Sequence, residues 1–248
     1  MPNNRHYPHA PITEALIDFR VDYGRTISLA DLKGFGTHVK KEYPFESNRD
    51  LIEGQLNFGA ADPQVVSSKI TIGYIFHSAD RRQAVQARTD GFTVSRLAPY
   101  ENWLQLRDET KRLWAVFVEV LRPVSITRVA VRYVNQIDLP LKGGILTFED
   151  YLQTFPKMEV DEDISLEQFL MRLVMPQNDI AAKLILTEAL LPAQGDRLGV
   201  ILDIDLFREN VSIGALSMET WDILEQFRNR KNKFFEASIT DRARELFA

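Results

Sequence analysis

Arg96, Arg132 and Asn135 are the residues whose chemistry best suits a binding site. A guanidinium grips a carboxylate or phosphate through two parallel hydrogen bonds, and an Asn beside it can both donate and accept. A second set follows from strand periodicity. Glu14, Asp18, Arg20 and Asp22 alternate with apolar residues, and so do Arg128, Arg132 and Asp138. A two-residue period places each series on one face of its strand. Lys183, Asp203 and Asp205 add charge to other strands. If the sheet curls, Glu14, Asp18, Arg20, Arg132 and Asp138 line a polar groove or tunnel that could hold a phosphate, with or without a divalent cation. If the sheet lies open, they form its wet face. An enzyme of this kind requires Glu14, Asp18, Arg96 and Arg132 to converge in one enclosed pocket.

The only concentrated basic run is Arg228-Asn229-Arg230-Lys231-Asn232-Lys233, followed by Phe234-Phe235. Cations beside aromatic rings can hold a single nucleic-acid strand, which makes Arg228, Arg230, Lys231 and Lys233 candidate contacts. Late in a helix, the same cations simply complement its negative end. Other chemistries find no support. His6, His9, His38 and His77 lack metal-ligand spacing, and no nucleophile elbow, phosphate loop or dinucleotide fingerprint occurs. Neither metal nor cofactor is expected, a divalent cation entering only with the phosphate enzyme.

The chain has 248 residues, 45% hydrophobic and 26% charged, which suits an ordinary globular protein with a sizeable core. The absence of cysteine removes disulfides, thiolate catalysis and iron–sulfur sites, and fits a reducing cytoplasm. Neither a leader-like nor a membrane-spanning apolar run is present, so no membrane partner is expected. Thirty basic against thirty-five acidic residues give a net charge of −5, which disfavours a polyanion except at a local site.

The elements that must position these residues are read from hydropathy. Residues 12–22 alternate as a half-buried strand. Ser28 caps a helix with Asp31 three residues on, and Leu32, Phe35 and Val39 form its buried stripe. Gly34-Phe35-Gly36 lies within that helix. Strands follow at 55–58, 69–77 and 83–97, the last folded at Asp90-Gly91, a good hairpin turn. A helix lies between Pro99 and Pro123, with Trp103, Leu106, Leu113, Trp114 and Phe117 inward. The series then restarts: 126–133 matches 12–19 in hydropathy, and Thr147 with Asp150 parallels Ser28 with Asp31. Strands at 168–175, 181–191 and 198–207 precede a helix over 217–235.

These signals describe an α+β protein, one full-length module over residues 1–248 with internal pseudo-repeats 10–123 and 124–248. Each repeat reads as a β-α-β-β-β-α unit with mainly antiparallel sheet. Two such units join as a saddle of the TATA-box-binding type, or curl into a grip or barrel.

Four stretches carry a family resemblance: His9-Ala10-Pro11-Ile12-Thr13-Glu14-Ala15; Gly91 to Leu97 with Tyr100 and Trp103; Arg132 to Asp138; and Lys231 to Phe235 with Ser238-Ile239-Thr240. In these the chain resembles a sporadically distributed bacterial family of uncharacterised proteins of about this length. Thr13 and Gln136 depart from the pattern, where an aliphatic residue and an Arg are common. The resemblance implies one full-length module and no activity. Tunnel-type triphosphate hydrolases are not resembled in their Glu-x-Glu-x-Lys strand, because Leu16 stands two residues after Glu14.

The expectation is therefore a non-enzymatic binding or interaction module that uses the polar sheet face to recognise a protein or small-molecule partner. The competing readings are a phosphate-substrate hydrolase or transferase and a local nucleic-acid contact.

Overall fold

In a computed structural model, residues 5, 7–57, 64–141, 147–157 and 167–248 are described. The strand signal at residues 12–22 becomes β1 (Ile12–Asp22), with Ala15, Ile17 and Phe19 fully buried on one face. The capping box forms as expected at α1 (Leu29–Val39): the Ser28 hydroxyl accepts from the Asp31 backbone N–H, and the Asp31 carboxylate accepts from the Ser28 backbone N–H at 2.9 Å. Leu32, Phe35 and Val39 are its buried stripe. Gly36 serves packing: a Cβ there would lie 2.5 Å from the Phe76 ring, so the helix can sit close to the sheet only without one.

Next come β2 (Phe45–Asn57) and β3 (Gln64–His77), both longer than the sequence signal, then β4 (Gln83–Arg88) and β5 (Gly91–Leu97), hinged where Asp90-Gly91 predicted a turn. Phe58, the last residue of the first of those expected strands, lies outside the described residues. Asn102 caps α2 (Trp103–Leu121), which ends at Arg122 in the left-handed conformation just before Pro123. The second half contains β6 (Ser125–Pro140), β7 (Leu170–Gln177), β8 (Ala182–Leu190) and β9 (Arg197–Gly214), then α3 (Glu219–Ser238) and α4 (Asp241–Glu245).

The nine strands among the described residues join one antiparallel sheet in the order β2-β3-β4-β5-β1-β6-β9-β8-β7. This overturns the expected arrangement. The edges, β2 and β7, do not pair with each other, so neither barrel nor curled grip closes. The TATA-box-binding-type saddle is not formed either, and the two β-α-β-β-β-α units do not have equal element counts. Four strands follow α1, whereas only a three-residue 3-10 turn, Phe148–Asp150, stands where a second capped helix was expected, and three strands follow it. The Thr147 side chain makes no cap bond. Pro156 explains the loss, because a residue before proline avoids the helical region and Phe155 would fall within the second turn. Leu152 instead forms an isolated bridge with Ile239.

The three long helices share one face of the sheet. Phe19 on β1 meets Trp114 of α2 with ring centroids 5.0 Å apart and Trp221 of α3 at 6.1 Å, while Phe35 of α1 meets Phe117 of α2 at 5.6 Å. Among the described residues no long helix packs on the other face. No helix among the described residues is long and apolar enough to cross a membrane.

Candidate functional site

The helix-free face holds most of the residues picked by strand alternation, and they neutralise one another. The Asp18 carboxylate receives Arg88 of β4 at 2.8 Å, Arg128 of β6 at 2.9 Å and the Thr93 hydroxyl of β5 at 2.7 Å. Burial pushes Asp18 upward, but Arg88, Thr93 and Arg128 outweigh it and hold the carboxyl below its ordinary value. Arg132 grips Asp203 of β9 through two nitrogens at 2.9 and 2.6 Å. Asp205 lies 3.6 Å from Arg128: burial raises it, Arg128 and Arg132 oppose, and Asp203 and Asp18 add to the rise. Arg20 pairs with Asp90 at the solvent edge. Asp138, far along β6, accepts from the Gln136 amide at 3.0 Å. Glu14 adds its charge to those favouring protonated Arg132.

Arg96 and Asn135 belong to the opposite face. Arg96 is paired in register with Ala15, whose side chain lies under the helices, and its guanidinium is 3.8 Å from Glu101. Asn135 follows a bulge in the β1–β6 register and is buried, its amide donating to the Leu202 carbonyl at 2.8 Å. Glu14, Asp18, Arg96 and Arg132 therefore do not converge, because the sheet itself stands between Arg96 and the others.

The helix side contains a cavity of about 180 Å³. Its walls come from Pro11 and Ile12 before and at the start of β1, Tyr100 to Trp103 at the start of α2, Tyr133 and Asn135 on β6, and Arg228, Lys231, Asn232, Phe235 and Glu236 on α3. Tyr100 and Tyr133 meet hydroxyl to hydroxyl at 3.0 Å, with rings edge to face. The Lys231 Nζ lies 3.8 Å from the Tyr133 ring centroid.

The acids around this cavity are already engaged. Glu225 accepts from the Trp103 indole at 2.7 Å and from Arg107 at 3.0 Å. Glu236 accepts from the Tyr7 hydroxyl at 2.8 Å and pairs with Arg244 at 2.8 Å. Arg228 has only a 3.7 Å contact to Glu225, and among the described residues no carboxylate forms an ion pair with Lys231. Burial, then Arg228, lowers Lys231 to about 7, with Glu236 opposing. Burial pushes Tyr100 up to about 12 and Tyr133 well above the usual phenol range, so both hydroxyls stay protonated.

The basic run of α3 is thus divided by the helical turn. Arg228 and Lys231 face the cavity, Arg230 reaches Asp179 and Gln177 at the turn after β7, and Lys233 is exposed. Sequence reasoning missed the cavity role of Lys231, although its signal was present. Lys231 stands four residues after Phe227 and four before Phe235, both buried, so it occupies the apolar stripe of α3.

A further buried acid, Glu188 on β8, also escaped notice. Its Oε1 accepts from the Thr154 hydroxyl, its Oε2 has no hydrogen-bond partner, and burial raises it to about 7. Among the described residues no group of three or more His, Asp or Glu is arranged to hold a metal ion. His6, one of the histidines considered, lies outside the described residues. No protein-family model matches the chain, and no curated protein matches it either.

Proposed function

We propose that the chain is a binding protein for a small ligand bearing a carboxylate or phosphate, held in the cavity between the start of α2, β6 and α3. The observation that carries this reading is the pair Arg228 and Lys231, which line one cavity and, among the described residues, have no carboxylate within hydrogen-bond distance, Glu225 standing 3.7 Å from Arg228. A ligand anion supplies the missing partner, and Arg228 offers it a fork of donors. The start of α2 also opens here and has no acidic residue in its first turn, so its positive end adds to the attraction. Trp103, Phe235 and the two tyrosines provide apolar wall, the usual make-up of a small-molecule site.

The polar sheet face, the surface first expected to bind, fits this role less well because Asp18, Arg20 and Arg132 already have partners. The nucleic-acid reading loses its contiguous stripe, since Arg230 is engaged by Asp179 and two of the other three cations face the cavity. Amide chemical-shift mapping with lactate and with inorganic phosphate tests the proposal. Shifts should concentrate at residues 100–103, 133–135 and 228–236 and should be lost in Arg228→Gln. Shifts spread evenly over surface lysines and arginines would reject it.

A further inference from the structure

We propose that Lys231 condenses with an aldehyde or ketone on the bound anion, making the cavity an imine-forming site for a small oxo acid. This rests on the anion-binding reading above and adds a covalent step to it. The geometry supplies the three parts such a step needs. Arg228, one turn earlier on α3, holds the carboxylate; Lys231 presents its Nζ to the same space; and Tyr100 and Tyr133 stand beside it.

The hydroxyl pair has a direct consequence. One tyrosine donates to the other, which leaves the acceptor's own hydrogen available for the substrate oxygen. In the step itself, the neutral amine lone pair attacks the carbonyl carbon while the carbonyl π electrons move to oxygen. That oxygen takes a proton as the new ammonium loses one, giving a carbinolamine. The nitrogen lone pair then forms C=N as the hydroxyl, protonated by a solvent acid, leaves as water, and the resulting iminium returns its N–H proton to solvent to give the imine. Amine and carbonyl thus become imine and water, with no oxidant or reductant.

The amine must be neutral to attack. The Tyr133 ring face and Glu236 favour the ammonium, whereas withdrawal from water and the Arg228 charge favour the amine. Arg5, Tyr7 and Glu101 are the other titratable groups at the cavity wall; Glu101 lies near Arg96, and Tyr7 is bound to Glu236. The balance leaves Lys231 close to half neutral at about pH 7, against about three parts in ten thousand for an ordinary lysine.

Trapping with pyruvate and sodium cyanoborohydride on the full chain, followed by peptide mapping, tests this, with lactate binding measured in parallel. Lys231 should be alkylated at least about tenfold faster than any exposed lysine, with a rate that rises through a midpoint near 7. Lys231→Met should abolish that peptide's label. Arg228→Gln should slow trapping by acetaldehyde modestly near neutrality, because it removes a charge that favours the neutral amine, and should slow trapping by pyruvate severalfold more, because the carboxylate loses its partner as well. Labelling in proportion to exposure, or a midpoint near that of free lysine, would overturn the imine. Lactate binding without pyruvate trapping removes the imine alone, and failure of both removes the anion site as well. Because the map is made on the unmodified sequence, the outcome does not depend on a variant folding.

Discussion

The Lys231 ammonium nitrogen sits 3.8 Å above the centre of the Tyr133 ring, at a helix position flanked one turn on either side by buried phenylalanines. A cation there gains the ring's negative face but gives up much of its hydration. Withdrawal from water, with the Arg228 charge, lowers Lys231 to about 7 against the opposing pull of Glu236.

Stability should record that loss. A lysine lowered on folding is protonated more readily in the unfolded chain, so between about 7 and 10.5 stability rises with pH. Below that window the folded state bears the whole penalty. Lys231→Met keeps the apolar stem and should stabilise by about 1–2 kcal/mol at or below neutrality, a gain that fades as pH approaches 10. Urea titrations across this range provide the check, and a gain independent of pH would contradict it.

Asp18 behaves in the opposite sense. Its folded value lies below the ordinary one, so its stabilisation is in place above the usual carboxylate range and is lost as pH falls through the folded value. Asp18→Asn leaves Arg88 and Arg128 without their shared acid and should cost about 3–5 kcal/mol at neutral pH, with a flatter acid limb of the stability curve. A cost below about 1 kcal/mol would mean that the cluster behaves as an ordinary surface network.

Glu188 is raised from 4.5 to about 7, so its contribution is fully present below 4.5 and is lost as pH rises through 7. Glu188→Gln, which keeps an acceptor for Thr154, should stabilise the protein by about 1–3 kcal/mol near pH 8 and change little near pH 4.5. Calorimetric melting at the two pH values decides the matter. Equal effects at both would show that Glu188 is not titrating as a buried acid.

The local signals were legible because they are short. Ser28 with Asp31, the turn at Asp90-Gly91 and the Trp103 to Phe117 stripe each depend on residues a few positions apart, and each formed. Sheet closure was not legible. Alternation tells which side of a strand is wet, whereas closure depends on whether β2 meets β7, which no local pattern encodes. The candidate site was legible in part. Arg132 and Asn135 are three apart, and a two-residue period already places them on opposite faces; grouping them by chemistry obscured this. Lys231 was hidden by its basic neighbours, because a run of like residues suggests one surface while a helix distributes it over several.

The central place of β1 also bears on how the chain is made. This strand, near the N-terminus, is flanked by β5 and β6, whose residues are synthesised much later. On the ribosome β1 must wait for both partners, with an apolar face that includes Phe19 uncovered until α2 and α3 arrive. Such distant pairing slows folding and leaves that apolar strand face open to non-native contacts until its partners are in place.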